Sequence, residues 1–226
     1  MKPSERFLAQ FVPLMEQQGY AYRKSQHRFV KRFAHGDQEY SLTFDARGGL
    51  TGVSAGFFIY FRALEGEFKK AVGYMCPWSA GATLLNAGAK PWMLWLNEDR
   101  FAAMTPKQRA EFPSEVIHPQ RRIDDAVRTF ADTHARYAVP FFEKLQTYRQ
   151  LFDFYLEHIR NGFTGRCRPL PANVIYLSLL LAAMLGEKDD EIVKASKGVV
   201  SVIAGQDVPA TVQAVKKYAE SNPFPL

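Results

Sequence analysis

The sequence predicts an α+β fold, with an antiparallel β-meander sheet packed by helices and a helical C-terminal half. Three observations predict it. The apolar pattern runs helix first, then a block of strands, then helices, and such segregation separates α+β chains from alternating α/β ones. Two glycine-bearing turns, placed independently, put the apolar residues of three strands on one face. From about residue 119 the apolar spacing changes to a helical period and keeps it. The reading divides the chain into 1–115, a helix plus antiparallel sheet, and 116–226, a helical part packed on that sheet as one compact unit.

The first helix covers "SERFLAQFVPLMEQQG" (4–19). Ser4 is placed to cap it, Phe7, Phe11, Leu14 and Met15 share one face, and Gly19 ends it. Pro13 falls inside the pattern and predicts a kink. "YRKSQHRFVKRF" (22–33) follows, basic throughout and interleaved with aromatics. A turn at His35-Gly36 sets Arg32 opposite Glu39 and Phe29 opposite Leu42. A second turn at Gly48-Gly49 sets Phe44 opposite Val53, Leu42 opposite Ala55 and Tyr40 opposite Phe57. The reverse face then carries Arg28, Val30, Arg32, Glu39, Ser41, Thr43, Ser54, Phe58 and Tyr60. Lys31 falls on the apolar face, which suits an edge strand from which its ammonium snorkels.

Residues 63–80 read as a connection containing Gly66, Gly73 and Pro77. "ATLLNAG" (82–88) and "PWMLWLNED" (91–99) read as further strands, and "TPKQRAEF" (105–112) as a short helix with Thr105 as cap and Pro106 at its first position. Ile123, Val127, Phe130, His134 and Tyr137 lie at helical spacing until Pro140 breaks the run. Thr147 and Gln150 form a capping box that starts a helix ending near Gly162. Segments 172–185, 188–203 and 209–220 complete the helices. The most apolar run, 174–185, is shorter than the roughly 20 residues a bilayer span requires, so it reads as a buried helix.

Composition bounds the function classes. The chain has 226 residues, 47% hydrophobic and 23% charged, enough to bury a core without a disulfide or metal. Net charge is +6, a surplus that favours acidic or polyanionic partners. Cys76 and Cys167 form neither a CxxC nor a secreted disulfide framework. The N-terminus lacks the apolar core of a signal peptide, so the reading places the protein in the cytoplasm and off the membrane.

Catalytic signatures are missing from the sequence. "GATLLNAGAK" (81–90) has the wrong glycine spacing for a phosphate loop, and Pro91 stands where the magnesium-binding hydroxyl belongs. His27, His35, His118, His134 and His158 make no metal-binding pair, and His134 reads as a core imidazole. Asp153 and Glu157 share a helix face but sit between Arg149 and Arg160, the pattern of a solvated charge stripe. Cys76-Pro77-Trp78 reads as a small buried thiol. The reading therefore assigns no catalytic residue, no metal and no cofactor. What remains is a set of binding candidates: Arg23, Lys24, Arg28 and Arg32, with Phe58 and Tyr60 on the same face, and Trp78, Trp92 and Trp95, which suit a groove or interface and equally the core. Basic residues beside sheet aromatics also suit the stacking of single-stranded nucleic acid.

Four segments carry a resemblance: "GYAYRKSQHRF" (19–29), "SAGFFIYF" (54–61), "YAVPFFEKLQTYRQL" (137–151) and "LLLAAMLGEKDDE" (179–191). On these the chain resembles a bacterial family of uncharacterised domains, over about residues 5–195. Some neighbouring domains look like immunity proteins, which neutralise toxins by binding them. The resemblance implies a non-enzymatic binding role with another protein as partner. Such inhibitors are often acidic, whereas this chain is basic. The sequence thus leads to a protein-interaction domain, with a nucleic-acid-binding module as the alternative and an enzyme of unknown class as a third reading.

Overall fold

The computed structural model describes residues 1–47, 50–76, 78–83, 85–89, 93–96, 103–110, 123–163, 170–199 and 207–222. Among them the α+β class predicted from sequence is present. Helix α1 (Pro3–Gln17) precedes β1 (Ala21–Arg23), β2 (Arg28–Phe33), β3 (Gly36–Arg47) and β4 (Leu50–Phe61). Helix α2 (Arg62–Val72) then leads to β5 (Ala80–Thr83), β6 (Met93–Trp95) and α3 (Pro106–Ala110). The remainder is helical: α4 (Ile123–Thr133), a π-turn (His134–Ala138), α5 (Val139–Glu143), α6 (Tyr148–Arg160), α7 (Pro171–Leu185), α8 (Asp190–Ser196) and α9 (Val208–Ser221). The strands form one sheet in the order β1-β2-β3-β4-β5, with β6 pairing antiparallel to β4.

Several sequence expectations change. The basic stretch 22–33 is not one edge strand. It is a hairpin, β1 pairing antiparallel to β2 with Tyr22 opposite Phe29 and Arg23 opposite Arg28. A 3-10 turn (Lys24–Gln26) and His27 in the left-handed region (φ 51°) reverse the chain. The next turn is Ala34-His35 rather than His35-Gly36, because β2 ends at Phe33 and β3 begins at Gly36. Leu42 N donates to His27 O at 3.0 Å, the mark of that register. The slip is two residues, so each side chain keeps its face and only its partner changes. Gly36 belongs in the strand because a Cβ there would stand 1.6 Å from Tyr60 O. The β3–β4 register agrees with expectation, as Arg62 N donates to His35 O at 3.3 Å at its far end. The Gly48-Gly49 pair lies outside the described residues.

The connection expected at 63–80 begins with α2. Its Leu64 and Phe68, four residues apart, are fully buried, and Gly66 does not interrupt the helix. Ser4 lies inside the first turn of α1, whose N-cap is Lys2, and Pro13 is carried within the helix. Pro140 does not end the helical run either. A proline lacks the N–H and crowds the carbonyl four residues back. The π-turn before it, where Val139 N bonds His134 O, widens the helix at that point. The Thr147–Gln150 capping box is present, with Gln150 N donating to Thr147 Oγ1 at 3.2 Å.

The chain forms two compact units: Met1–Arg32, Gln38–Phe58 and Ala82–Phe142 make the first, and Phe33–Asp37, Ile59–Gly81 and Glu143–Leu226 the second. The first is built on aromatic rings. Phe7 and Phe11 of α1 stack at 5.3 Å, Phe130 of α4 meets Phe7 edge-on at 5.6 Å, and Phe29 of β2 meets Phe11 at 5.4 Å. All four are fully buried, and each such ring contributes burial plus about 0.5–1.5 kcal/mol per ring pair. In the second unit α7 is buried on nearly every side, and α2, α6, α8 and α9 pack around it. This accounts for the unbroken apolar run of 174–185.

Candidate functional site

The reverse side of β1 and β2 holds the basic candidates. Strand alternation puts Arg23, Arg28 and Arg32 on one side, since Arg23 pairs directly with Arg28 and Arg32 follows Arg28 by four residues. Arg23, Lys24 and Arg32 are exposed, and none has an ion pair among the described residues. Arg28 differs. Its Nη1 donates to Glu39 at 3.2 Å, with side chains 40% and 7% exposed respectively. The sequence pairing of Glu39 with Arg32 is therefore replaced by Arg28, reached diagonally after the two-residue slip. Thr43 is exposed and Ser41 half-buried on the same side, so polar residues border the arginines.

Lys31 does not join them. Its Nζ donates to Gln18 O at 3.0 Å and lies 5.7 Å from the Tyr20 ring. A cation at the last carbonyls of α1 is favourable to the helix dipole, so Lys31 is a structural cap.

The aromatic candidates differ in burial. Phe58 is half-buried and lies over Gly56, where a Cβ would approach its ring to 2.8 Å. Tyr60 is half-buried in the second unit. Trp95 is a core residue, 2% exposed, packed with Leu50, Met93 and Met104. Its ring covers Gly52, 3.2 Å from where a Cβ would stand. It is no exposed anchor, which corrects that expectation. Trp78 is half-buried in the segment before β5. Trp92, His118 and Cys167 lie outside the described residues.

Each unit also buries polar residues that the binding candidates leave out. In the first unit His134 is fully buried, its Nε2 3.2 Å from Tyr20 Oη and its ring edge-on to Tyr20 and Tyr40. Burial, with Lys31 adding to it, pushes the imidazole down to about 4, the property of a core histidine. In the second unit Glu65 is 8% exposed and Ser79 fully buried, 2.7 Å apart. Helical spacing identified the first of these; nothing local in the sequence links Glu65 to a serine 14 residues on. Asp153 and Glu157 are exposed as expected, but their arginine neighbours pair elsewhere, Arg149 with Glu187 at 2.6 Å and Arg160 with Glu191 at 2.8 Å. Among the described residues no group of three His, Cys, Asp or Glu side chains is arranged to hold a metal ion.

No family model matches the chain, and comparison with curated proteins and with solved structures returns no match. The functional reading accordingly rests on the geometry of the chain's own residues. No helix among the described residues is long and apolar enough to cross a membrane.

Proposed function

We propose that the chain is a non-enzymatic cytoplasmic protein-interaction domain, immunity-like in acting by masking its partner, and that it docks through the basic side of the β1–β2 hairpin. The observation that carries this reading is the set of exposed cations without an ion pair, Arg23, Lys24 and Arg32, arrayed beside an Arg28 held in place by Glu39. Charge complementarity makes the partner an acidic protein surface. Cations of this kind govern association rate and salt dependence more than resting stability. Charge reversal at Arg23 and Arg32 tests it: partner capture is lost while the fold is kept.

A second reading, a nucleic-acid-binding module, draws on the direct opposition of Arg23 and Arg28. Glu39 neutralises Arg28, while Arg23 beside it remains exposed with Lys24 and Arg32, and a phosphate backbone would supply anions to these three. Phe58, half-exposed on the same sheet side, would offer a stacking ring. Anisotropy of labelled single-stranded and duplex oligonucleotides across a salt series separates the two readings. The second requires binding that weakens steeply with salt.

A further inference from the structure

Ser79 makes four hydrogen bonds within the second unit. Its N–H donates to Ile59 O at 2.9 Å. Its hydroxyl accepts from Phe61 N at 2.8 Å and donates to Glu65 Oε1 at 2.7 Å. Its carbonyl accepts from the Tyr155 hydroxyl. One fully buried serine thus ties the end of β4, the first turn of α2 and the middle of α6. The surroundings are apolar or neutral. Phe61 and Tyr155 are fully buried, and the Cys76 thiol, 2% exposed, is turned to Trp78 O. Asn173 approaches that thiol from α7, and Tyr74 donates to Asn173 at 2.7 Å.

We propose that Glu65 is a proton-operated latch: neutral, its carboxyl seats against Ser79 and fastens the start of α2 to β4 and α6; ionised, it withdraws toward water and releases Ser79. The cluster supplies both halves of the device. The serine hydroxyl donates to one carboxyl oxygen, a bond that a neutral acid also accepts, whereas a carboxylate in the same place has lost most of its water. Among the described residues two charged groups act on it. Asp37 opposes ionisation and Arg62 favours it, but Arg62 is already engaged with Asp37, Nε to Oδ2 at 2.8 Å. Tyr155 and Cys76 are themselves held neutral by burial.

Burial raises the Glu65 carboxyl from 4.5 to about 7, against the pull of its Ser79 bonds and of Arg62. The stability it contributes is present below about pH 4.5 and is lost as pH rises through about 7. The latch therefore loosens as pH rises from about 4.5 and is open once pH has passed about 7.

Glu65→Gln in the full chain keeps an acceptor for the Ser79 hydroxyl and cannot ionise. Amide exchange at Ser79 and Phe61, corrected for its intrinsic rise with pH, reads the latch. In the wild type, protection falls about tenfold between roughly pH 6 and 8; in the glutamine variant it stays level. The Glu65 carboxyl carbon resonance of the wild type gives a second readout that needs no variant, and it titrates near neutrality. A carboxyl that titrates in the ordinary glutamate range overturns the proposal. So does an equal loss of protection in both proteins.

Discussion

Arg28 donates to Glu39 at 3.2 Å while Arg23 stands directly across the ladder from Arg28. One guanidinium is thus fixed by a buried carboxylate and its neighbour is left to solvent. The two arginines should respond differently to removal. Arg28→Ala takes a charged partner from a buried carboxylate and is expected to cost about 1–2 kcal/mol. Arg23→Ala and Arg32→Ala are expected to change stability by less than about 0.5 kcal/mol. Urea unfolding of the three variants checks the contrast.

Two glycines predict effects of opposite sign. A Cβ on Gly36 would fall 1.6 Å from Tyr60 O, in backbone that cannot give way without parting the β3–β4 ladder. Gly36→Ala is therefore expected to destabilise by more than about 3 kcal/mol or to prevent folding. Gly66 lies exposed inside α2 with nothing within 4 Å of a Cβ. Gly66→Ala is expected to stabilise by about 0.5–1 kcal/mol, because alanine fits the helix and restricts the unfolded chain. Thermal unfolding of both variants measures the difference.

His134 predicts an acid limit for the first unit. Its folded value lies near 4, below the ordinary 6.5, so the unfolded chain takes up its proton first. The stability tied to the neutral ring is present above about pH 6.5 and is lost as pH falls through about 4. His134→Phe keeps an aromatic ring between Tyr20 and Tyr40 and cannot ionise. The variant should lose about 1 kcal/mol near pH 7, from the missing Tyr20 hydrogen bond, and show a shallower decline between about pH 6 and 4. Melting temperature against pH for the two proteins gives the comparison.

Cys76 should be inert in the native state. It is 2% exposed, and burial pushes its thiol up to about 12. On a Cys167→Ser background, labelling by a disulfide reagent near pH 8 is expected to be on the order of a thousandfold slower in the folded than in the denatured protein. Rapid labelling of the folded protein would contradict the placement of Cys76 inside the polar cluster.

Much of the fold was legible because its signals are local or periodic. Phe7, Phe11 and Met15 mark the buried face of α1 by spacing alone, and all three are buried. Thr147 and Gln150 announce the start of α6 within four residues, and both capping bonds form. The alternation of β3 and β4 gave the correct face for Tyr40, Leu42, Val53 and Phe57. The failures arise where the deciding contact is distant. Gly36 reads as a turn glycine, yet the approach of Tyr60, 24 residues on, requires its small size within a strand. Pro140 reads as a break, yet the π-turn at His134–Ala138 accommodates it. Gly66 hid α2, although Leu64 and Phe68 carried the helical spacing. Of the candidate site, the basic character of 22–33 was plain. That Arg28 rather than Arg32 takes Glu39 depended on a two-residue slip that leaves the hydrophobic pattern unchanged. For Trp95 the sequence left interface anchor and core residue open, because residue type alone does not tell one from a ring laid over Gly52.

Affinity capture from nuclease-treated lysate of the native cell, using the wild type and the Arg23→Glu/Arg32→Glu variant side by side, decides whether this side of the sheet docks a protein. A discrete acidic protein is expected to be retained by the wild type, insensitive to nuclease, and to be absent from the variant, whose melting temperature is unchanged. Equal capture by the two proteins, or retention that disappears entirely with nuclease, would contradict a protein-docking role for this side of the sheet.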